Sequence, residues 1–178
     1  TYPDLDPAKY LEDTGLELSI PLDGSRIKSK IWKTVLQGHH GHEVPVYFLD
    51  TRHTSNDERH ISLSDRLYAG GDEMRVRQEY LLGVGGIRAL KILGHWPLKG
   101  LHLNEGHCSM AALEMLRQGW SKEELSSRSL FTTHTPVAAG HDRFEWDLVE
   151  SVVGDLTGPD EKEVANDGDR CSMSHLGI

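Results

Sequence analysis

The sequence lacks the features that would assign it at once to a secreted, membrane or disulfide-rich class. Its 178 residues include only two cysteines, Cys108 and Cys171, which are too few and too far apart for a disulfide framework or a metal motif. No apolar run approaches the roughly 20 residues that a membrane-spanning helix needs. We therefore expect reduced thiols, a cytoplasmic location and no membrane partner.

Basic residues are scarce relative to acidic ones. Nineteen Lys and Arg stand against 28 Asp and Glu, which gives a formal net charge of -9. Because so acidic a surface repels a phosphate backbone, we expect no nucleic-acid partner, whereas a neutral ligand such as a sugar is compatible. The length suffices for one domain with a core. The chain opens at Thr1 without an initiator methionine and stops within a helical pattern, and we interpret it as part of a longer protein.

Residues 1–71 are predicted to form a hairpin and loops. Three prolines and scattered acids favour a loop over residues 1–24. Strands are predicted over residues 27–37 and 43–49, with a turn rich in glycine and histidine between them. The buried positions of this hairpin are predicted to be Trp32, Val46 and Phe48.

Residues 72–156 alternate between helical and extended patterns. Asp72 is the expected N-cap of a helix that ends at Gly94. The elements that follow are a strand at 100–103, a helix at 109–118, a strand at 129–132 and a helix at 143–153. This alternation predicts an α/β fold with a parallel sheet and right-handed crossovers. The last region, residues 157–178, is predicted to contain an acidic, exposed loop over residues 157–170 and then the cut end of the chain.

A glycine-rich segment lies inside the first helical pattern, at residues 83–86. It does not fit a dinucleotide fingerprint, because Arg88 stands where a third glycine is needed and no strand precedes it. We expect these glycines to let the helix pack closely against a neighbouring backbone.

Polar side chains follow both predicted strands of the parallel pair. Asn104, Glu105 and His107 come after the first strand, and His134 comes after the second. Because parallel strands deliver their carboxyl ends to the same edge of a sheet, we expect one ligand site built from both ends.

Other chemistries remain open for the same residues. His107, His134 and His141 could form a metal site, although their spacing matches no zinc signature. Glu105 and Asp142 could act as a carboxylate pair in glycoside hydrolysis, although Asp142 is better explained as a helix cap.

Two neighbouring residues have plainer explanations. His102, on the first strand, is predicted to be a packing histidine of the core. A helix start could lower the pKa of the Cys108 thiol, but packing is the simpler explanation.

The motifs taken together resemble those of the α-glucan (glycogen, starch and maltodextrin) phosphorylases, in their shorter bacterial and archaeal branch. The similarity is collinear and covers nearly the whole chain. The segments that carry it are residues 46–51 (VYFLDT), 66–72 (RLYAGGD), 78–90 (QEYLLGVGGIRAL), 102–107 (HLNEGH), 113–114 (LE), 131–137 (FTTHTPV) and 139–144 (AGHDRF).

The resemblance implies a reaction and a fold. The family consists of retaining glycosyltransferases that cleave terminal α-1,4-linked glucose from a glucan with inorganic phosphate, giving α-D-glucose 1-phosphate. Their two Rossmann-like domains, of the glycosyltransferase-B type, enclose the active site. Residues 1–178 would be part of the N-terminal domain.

The resemblance also implies a cofactor and partners. The family enzymes hold pyridoxal phosphate as a Schiff base on a lysine of the C-terminal domain. We therefore expect no cofactor and no phosphorolysis from this chain alone. The expected partners are the glucan or maltodextrin, phosphate and the missing C-terminal domain, and a homo-oligomer is compatible with the family.

Motif positions suggest which residues bind substrate. His134 matches the family histidine that contacts the transferred glucosyl residue, partly through its backbone carbonyl. Glu105 and His107 stand where the family has an acidic residue and a histidine beside that glucose, and Asn104 adjoins them. The longer members carry Asp-Thr-His in place of residues 105–107. The resemblance assigns no catalytic residue and no metal ligand to this chain.

Two alternatives come from other classes of function. One is a carbohydrate- or partner-binding module that keeps the fold without the reaction. The other is a metal-dependent hydrolase using His107, His134 and His141.

Overall fold

The computed structural model describes residues 5–67, 70–154 and 158–177, which form an α/β arrangement around three small sheets. The strands are β1 (Glu12–Leu22), β2 (Ser25–Gln37), β3 (Glu43–Asp50), β4 (Leu101–Asn104), β5 (Ser129–Thr132), β6 (Arg143–Glu145), β7 (Asn166–Asp167) and β8 (Arg170–Ser172). The helices are α1 (Glu58–Ile61), α2 (Asp72–Tyr80), α3 (Gly86–Ile92), α4 (Met110–Arg117), α5 (Lys122–Arg128), α6 (Trp146–Val153), α7 (Pro159–Ala165) and α8 (Met173–Gly177).

The first sheet is antiparallel, in the order β1-β2-β3. The loop predicted over residues 1–24 is wrong for Glu12–Leu22, which form β1, while residues 1–4 lie outside the described residues. Leu18, Ile20 and Leu22 alternate along β1 and are almost completely buried, which gives this strand an apolar face. Pro21 is tolerated because β1 lies at an edge of the sheet, where a missing N–H costs little.

The predicted hairpin of β2 and β3 is confirmed, and so is the burial of Trp32, but the face of the hairpin that packs on the core is the opposite one. Ile31 pairs with Leu49 on the core side. Phe48 is 44% exposed, so its prediction as a buried residue is wrong, and Val46 is half-buried. Trp32 is buried on the outer face, where its Nε1 donates to Asp50 Oδ2 at 3.1 Å.

The long helix predicted from Asp72 is present as α2, a π-helical turn (Leu81–Gly85) and α3 in succession. Gly71, not Asp72, is its N-cap, and Asp72 lies in the first turn. The close packing predicted for the glycines is confirmed at Gly83, where a Cβ atom would lie 2.6 Å from the backbone nitrogen of Ala111 in α4. The π-helical turn thus places α2 and α3 against α4.

Strands β4 and β5 form the predicted parallel pair, with α4 and α5 in the connection between them. Leu101 pairs with Ser129 and Asn104 pairs with Thr132, so both strands end at the same level. A capping box of Ser121 and Glu124 begins α5.

The last part of the chain differs from its prediction. Residues 143–145 form β6 before the helix begins at Trp146. The acidic loop predicted over residues 157–170 is wrong from residue 159 onward, where α7 and then the β7–β8 hairpin follow, and residue 157 lies outside the described residues. Phe144 of β6 pairs with Cys171 of β8 and both are buried. Burial of this apolar pair explains why an acidic stretch is ordered.

One hydrophobic cluster joins the first sheet to the helices. Its members include Ile20 and Ile31 from the sheet, Tyr80 and Val84 from the helical run, and Met110 from α4. The helices within the described ranges are all too short or too polar to span a bilayer.

Candidate functional site

The candidate site lies at the carboxyl ends of β4 and β5. The strand pairing continues one residue past β4, because the backbone N–H of Glu105 donates to the carbonyl of Thr132 at 2.8 Å. The chain then turns away through Gly106–Cys108, while the other strand continues into residues 133–137. The two polar segments therefore leave the sheet side by side, as the sequence predicts.

Glu105 joins these two segments. Its backbone has φ 63° and ψ 172°, a left-handed φ that a residue with a Cβ rarely adopts. Its carboxylate accepts from the backbone N–H of His134 at 2.6 Å, from Thr133 Oγ1 at 3.0 Å and from Thr135 Oγ1 at 3.3 Å. The hydrogen bond from the His134 backbone, supported by the two hydroxyls, lowers the pKa of Glu105 below its ordinary value.

His134 and Asn104 meet across the same strand ends. His134 Nε2 lies 3.2 Å from Asn104 Oδ1, and both side chains are exposed. An amide oxygen can only accept, so the ring hydrogen of His134 is assigned to Nε2. These side chains offer hydrogen-bond donors and acceptors to a ligand above the sheet edge.

His102 belongs to this polar edge and not to the core. Its side chain is exposed, and Nε2 lies 2.8 Å from Thr132 Oγ1. The prediction of a core packing histidine is therefore wrong.

His107 is turned toward a second cluster, formed with α2 and the segment before β6. Its Nδ1 lies 3.2 Å from Arg75 Nη2, 3.8 Å from Glu79 Oε1 and 3.7 Å from Asp142 Oδ2. Arg75 Nη2 also donates to Glu79 Oε1 at 3.0 Å and forms a short ion pair with Asp142. The structure therefore joins three of the four predicted site residues, Asn104, Glu105 and His134, by hydrogen bonds. The fourth, His107, instead lies beside Arg75 and Glu79, which the sequence did not indicate.

The second cluster is electrostatically unusual. The Glu79 side chain is only 2% exposed, and its Oε2 has no hydrogen-bond partner. Burial, reinforced by the neighbouring Asp142 carboxylate, raises the pKa of Glu79 to about 7. The nearby carboxyl group of Glu79 raises the pKa of His107.

The prediction that Asp142 caps the helix after it is wrong. The N-cap of α6 is Glu145, and Asp142 instead pairs with Arg75. Glu105 and Asp142 are thus held in separate networks, one by the loop after β5 and the other by α2.

The proposed three-histidine metal site finds no support in the contacts of its members. His141 Nδ1 lies 2.7 Å from Ser174 Oγ, while His134 faces Asn104. In the part of the chain that the structure describes, the side chains that place metal-binding atoms within 4.8 Å of one another are those of Glu79, His107 and Asp142. The guanidinium of Arg75 already contacts all three, which disfavours a further cation there.

Cys108 has the character of a packing residue. Burial raises the pKa of its thiol, and its Sγ lies 3.5 Å from the carbonyl oxygens of Asn104 and Glu105. Burial likewise raises the pKa of Cys171 to about 12. A raised pKa is opposite to what an activated thiolate requires.

Arg75 and Glu79 are the site residues that sequence reasoning missed. They are four positions apart on α2 and form an ion pair along one helix face. The only signal in the sequence was this spacing, which is also common on exposed helix surfaces.

Comparison with known proteins identifies relatives of the chain, although no protein-family model matches it. Glycogen phosphorylase from Mycobacterium tuberculosis strain H37Rv is 30% identical over 214 aligned positions, which include all of this chain and 24% of that protein. Maltodextrin phosphorylase from Thermococcus litoralis is 38% identical over 149 positions, covering 76% of this chain and 18% of that protein.

A solved structure shares the fold. The catalytic domain of starch synthase IV from Arabidopsis thaliana, bound to ADP and acarbose, superimposes with a TM-score of 0.60 at 19% sequence identity. The match covers 93% of this chain and 31% of that one.

The chain spans about a quarter of the length of the first curated relatives it matches. The first alignment is longer than the chain, so that relative carries segments that this sequence lacks. In sequence the chain resembles part of the glycogen and maltodextrin phosphorylases, and in structure it has the fold of a glycosyltransferase-B domain.

Proposed function

We propose that this chain is part of the N-terminal Rossmann-like domain of an α-glucan phosphorylase and provides one side of its glucosyl pocket. The complete enzyme would release α-D-glucose 1-phosphate from the terminal α-1,4-linked glucose of a glucan or maltodextrin. The observation that carries the proposal is the hydrogen bond from the His134 backbone to Glu105, which joins the ends of β4 and β5. It occurs in a chain that is similar in sequence to glycogen phosphorylase.

The chemistry of the strand ends suits an uncharged sugar. A glucosyl unit is bound through several hydrogen bonds from fixed donors and acceptors. Asn104 and His134 supply such groups on exposed side chains. Glu105 fixes the backbone of His134, so the carbonyl of that residue is held in one orientation. Groups fixed before the substrate arrives cost little reorganisation during reaction.

Glu105 also contributes its charge. Its lowered pKa keeps the carboxylate ionised at neutral pH. A negative charge near the glucosyl carbon stabilises the positive charge that develops in an oxocarbenium-like transition state. We assign Glu105 both roles, holding the loop and stabilising this charge.

The residues of this site do not fit pyridoxal phosphate as a Schiff base. None of the described groups in contact with Asn104, Glu105, His107 or His134 is a lysine. Described lysines such as Lys91 and Lys122 bond elsewhere, to Gln118 and Glu163. We infer that the cofactor of the whole enzyme is held outside this chain.

The test combines this chain with a separately expressed C-terminal half from a related phosphorylase. We expect glucose 1-phosphate from maltodextrin and phosphate only when both are present. His134→Ala should reduce the rate roughly fivefold to 150-fold, since one positioned hydrogen bond contributes about 1–3 kcal/mol. His40→Ala, in the exposed β2–β3 turn, is the matched control and should retain the rate.

A non-catalytic carbohydrate-binding module of the same fold is the second candidate. The exposed Asn104–His134 pair supports a binding module as well as it supports an enzyme, because these groups could bind a sugar without any reaction. Glucan binding with no product in either combination would support the module and contradict the enzyme.

A further inference from the structure

A buried histidine outside the candidate site faces two carboxylates at once. The side chain of His60, in α1, is 1% exposed. Its Nε2 lies 2.7 Å from Oδ2 of Asp23, in the turn between β1 and β2. Its Nδ1 lies 2.5 Å from Oδ1 of Asp57, directly before α1. A neutral imidazole has only one hydrogen to donate, so only the charged ring can donate to both carboxylates.

Both carboxylates are placed at the expense of a more usual local arrangement. Asp23 has φ 51°, a left-handed backbone that a residue with a Cβ rarely adopts, and its N–H donates to the carbonyl of Val152 at the end of α6. Asp57 is the N-cap of α1, yet its side chain caps no backbone N–H and contacts His60 instead. The other oxygen of Asp57 lies 3.4 Å from Arg59 Nε at the surface.

Helix α2 holds the same turn through a second cation. Asp23 Oδ2 accepts from Arg77 Nε at 2.6 Å, and Arg77 also pairs with Glu73 on its own helix. Burial favours the neutral acid at Asp23, but the hydrogen bonds from Arg77 and His60 outweigh it and lower the pKa of Asp23. A guanidinium stays charged at any pH that the fold meets, whereas a histidine ordinarily changes charge between about pH 5 and 8. The bond from Arg77 therefore persists whatever the charge of His60.

We propose that His60, Asp23 and Asp57 form a pH-sensitive clasp that holds α1 against the turn between β1 and β2. The charged ring donates to both carboxylates. As pH rises through the titration of His60, the ring keeps its hydrogen on Nε2, because Asp23 is 7% exposed whereas Asp57 is 50% exposed and can turn to water. The contact with Asp57 is then lost and α1 is held less firmly, while Arg77 keeps α2 on the turn.

The release affects the surroundings of the candidate site through the segment that follows α1. Leu63 and Leu67 of this segment line a cavity of about 220 Å³ that Arg75 and His107 also line. The carbonyl of Leu63 accepts from Gln78 Nε2 of α2 at 3.1 Å, so this wall stays attached to α2 while its α1 end is released. The clasp itself does not depend on what the strand ends bind.

The first test follows the ring nitrogens of His60 by NMR as pH is raised. Asp57→Ala removes the acceptor of Nδ1, and the titration midpoint of His60 should move to lower pH by roughly one unit, because a carboxylate in contact favours the charged ring. Glu58→Ala removes an exposed carboxylate at the next position and is the matched control, with a smaller shift. An unchanged midpoint in Asp57→Ala, or equal shifts in both variants, would overturn the proposal.

Hydrogen exchange in α1 tests the release. The backbone N–H groups of His60 and Ile61 both donate to the carbonyl of Asp57 at 3.0 Å. Relative to intrinsic rates, their exchange should become roughly threefold to tenfold faster as pH rises through the titration of His60, as expected for the loss of one hydrogen bond. The amide of Glu124, which Ser121 caps in α5, is the internal control and should show no such change. Exchange in α1 that follows the intrinsic rate throughout would overturn the proposal.

A third measurement separates the clasp from the titration of Glu79. In Glu79→Gln the acceleration in α1 should remain, because Glu79 contacts none of the three clasp residues among its described interactions. In Asp57→Ala it should disappear. An acceleration that is lost in Glu79→Gln and kept in Asp57→Ala would assign the release to Glu79 and refute the clasp.

Discussion

The carboxylate of Glu105 accepts a hydrogen bond of 2.6 Å from the backbone N–H of His134, across the ends of two parallel strands. Glu105 reaches this position with a left-handed backbone, at φ 63°. A strained conformation persists where surrounding contacts hold it, and here the contacts are three donors from one short segment. The hydrogen bond between Glu105 and His134 therefore fixes the segment after β4 and the segment after β5 relative to each other.

The first prediction concerns the ionisation of Glu105. Hydrogen bonding lowers the pKa of Glu105 in the folded chain. The ionised carboxylate therefore stabilises the folded chain fully above the ordinary glutamate pKa of 4.5, and this stabilisation is lost as pH falls through the lowered pKa. The amide signal of His134 should shift with a midpoint below 4.5. A midpoint at or above 4.5 would mean that the carboxylate does not hold this N–H.

Substitution of Glu105 gives a second prediction. Glu105→Gln removes the negative charge of the acceptor, so the hydrogen bond from the His134 backbone changes from a charge-assisted one to a weaker neutral one. We expect faster hydrogen exchange at the His134 amide and weaker saccharide binding. Glu43→Gln, an exposed change at the start of β3, serves as the control and should alter neither.

The glycines of the helical run give a third prediction. Gly83→Ala places a Cβ atom 2.6 Å from the nitrogen of Ala111 and should destabilise the chain by about 1–3 kcal/mol in urea unfolding. Gly86→Ala is the matched control, because nothing lies within 4 Å of its Cβ position and its backbone is helical. This control should be neutral or stabilise the chain by up to about 1 kcal/mol. Equal effects of the two changes would refute the packing explanation.

The ion pair between Arg88 and Glu114 gives a fourth prediction. Glu114 is fully buried and accepts from Arg88 Nε at 2.8 Å and from Nη2 at 2.9 Å. Glu114→Gln leaves the guanidinium without its counter-charge and should cost about 3–5 kcal/mol of unfolding free energy. Glu163→Gln breaks the exposed pair with Lys122 and should cost less than about 1 kcal/mol. Comparable losses in the two variants would contradict this ranking.

The fifth prediction is the pH dependence of stability that Glu79 causes. Its pKa is raised from 4.5 to about 7, so between these values the folded chain holds a proton that the unfolded chain has released. Stability should therefore fall as pH rises through this window, by up to roughly 3 kcal/mol. In Glu79→Gln the fall should be smaller, as measured by denaturant unfolding at pH 4.5, 6 and 7.5. An equal fall in the variant would show that other groups cause it.

The strand ends could be predicted from the sequence because each strand is a short apolar run followed directly by polar residues. Parallel strands share an edge, so Asn104, Glu105 and His134 had to lie close together. The partners of His107 could not be predicted, because an Arg and a Glu four apart on a helix look the same whether they face water or a site. The packing of α2 against the turn after β4 decides whether Arg75 and Glu79 face water or the site.

Strand β1 and helix α7 lie in segments that the sequence predicted to be loops, and each was missed for a physical reason. In β1, Leu18, Ile20 and Leu22 alternate as a strand requires, but the nearby prolines suggested a loop, and Pro21 is accommodated only because the strand lies at an edge. In the acidic region, Pro159 after Gly158 begins α7, which is a known position for proline. The short length and the charge of α7 made it look like a loop, and among the side chains described for this helix Ala165 is the buried one.

The central claim is that the strand ends bind a glucosyl unit, and amide NMR spectra of the chain titrated with maltopentaose test it most directly. If a glucosyl unit binds there, the amide signals of residues 104–107 and 133–135 should show saturable shifts, and those of the exposed turn at residues 38–42 should show no comparable shifts. Shifts confined to other surfaces, or none at millimolar saccharide, would contradict the claim.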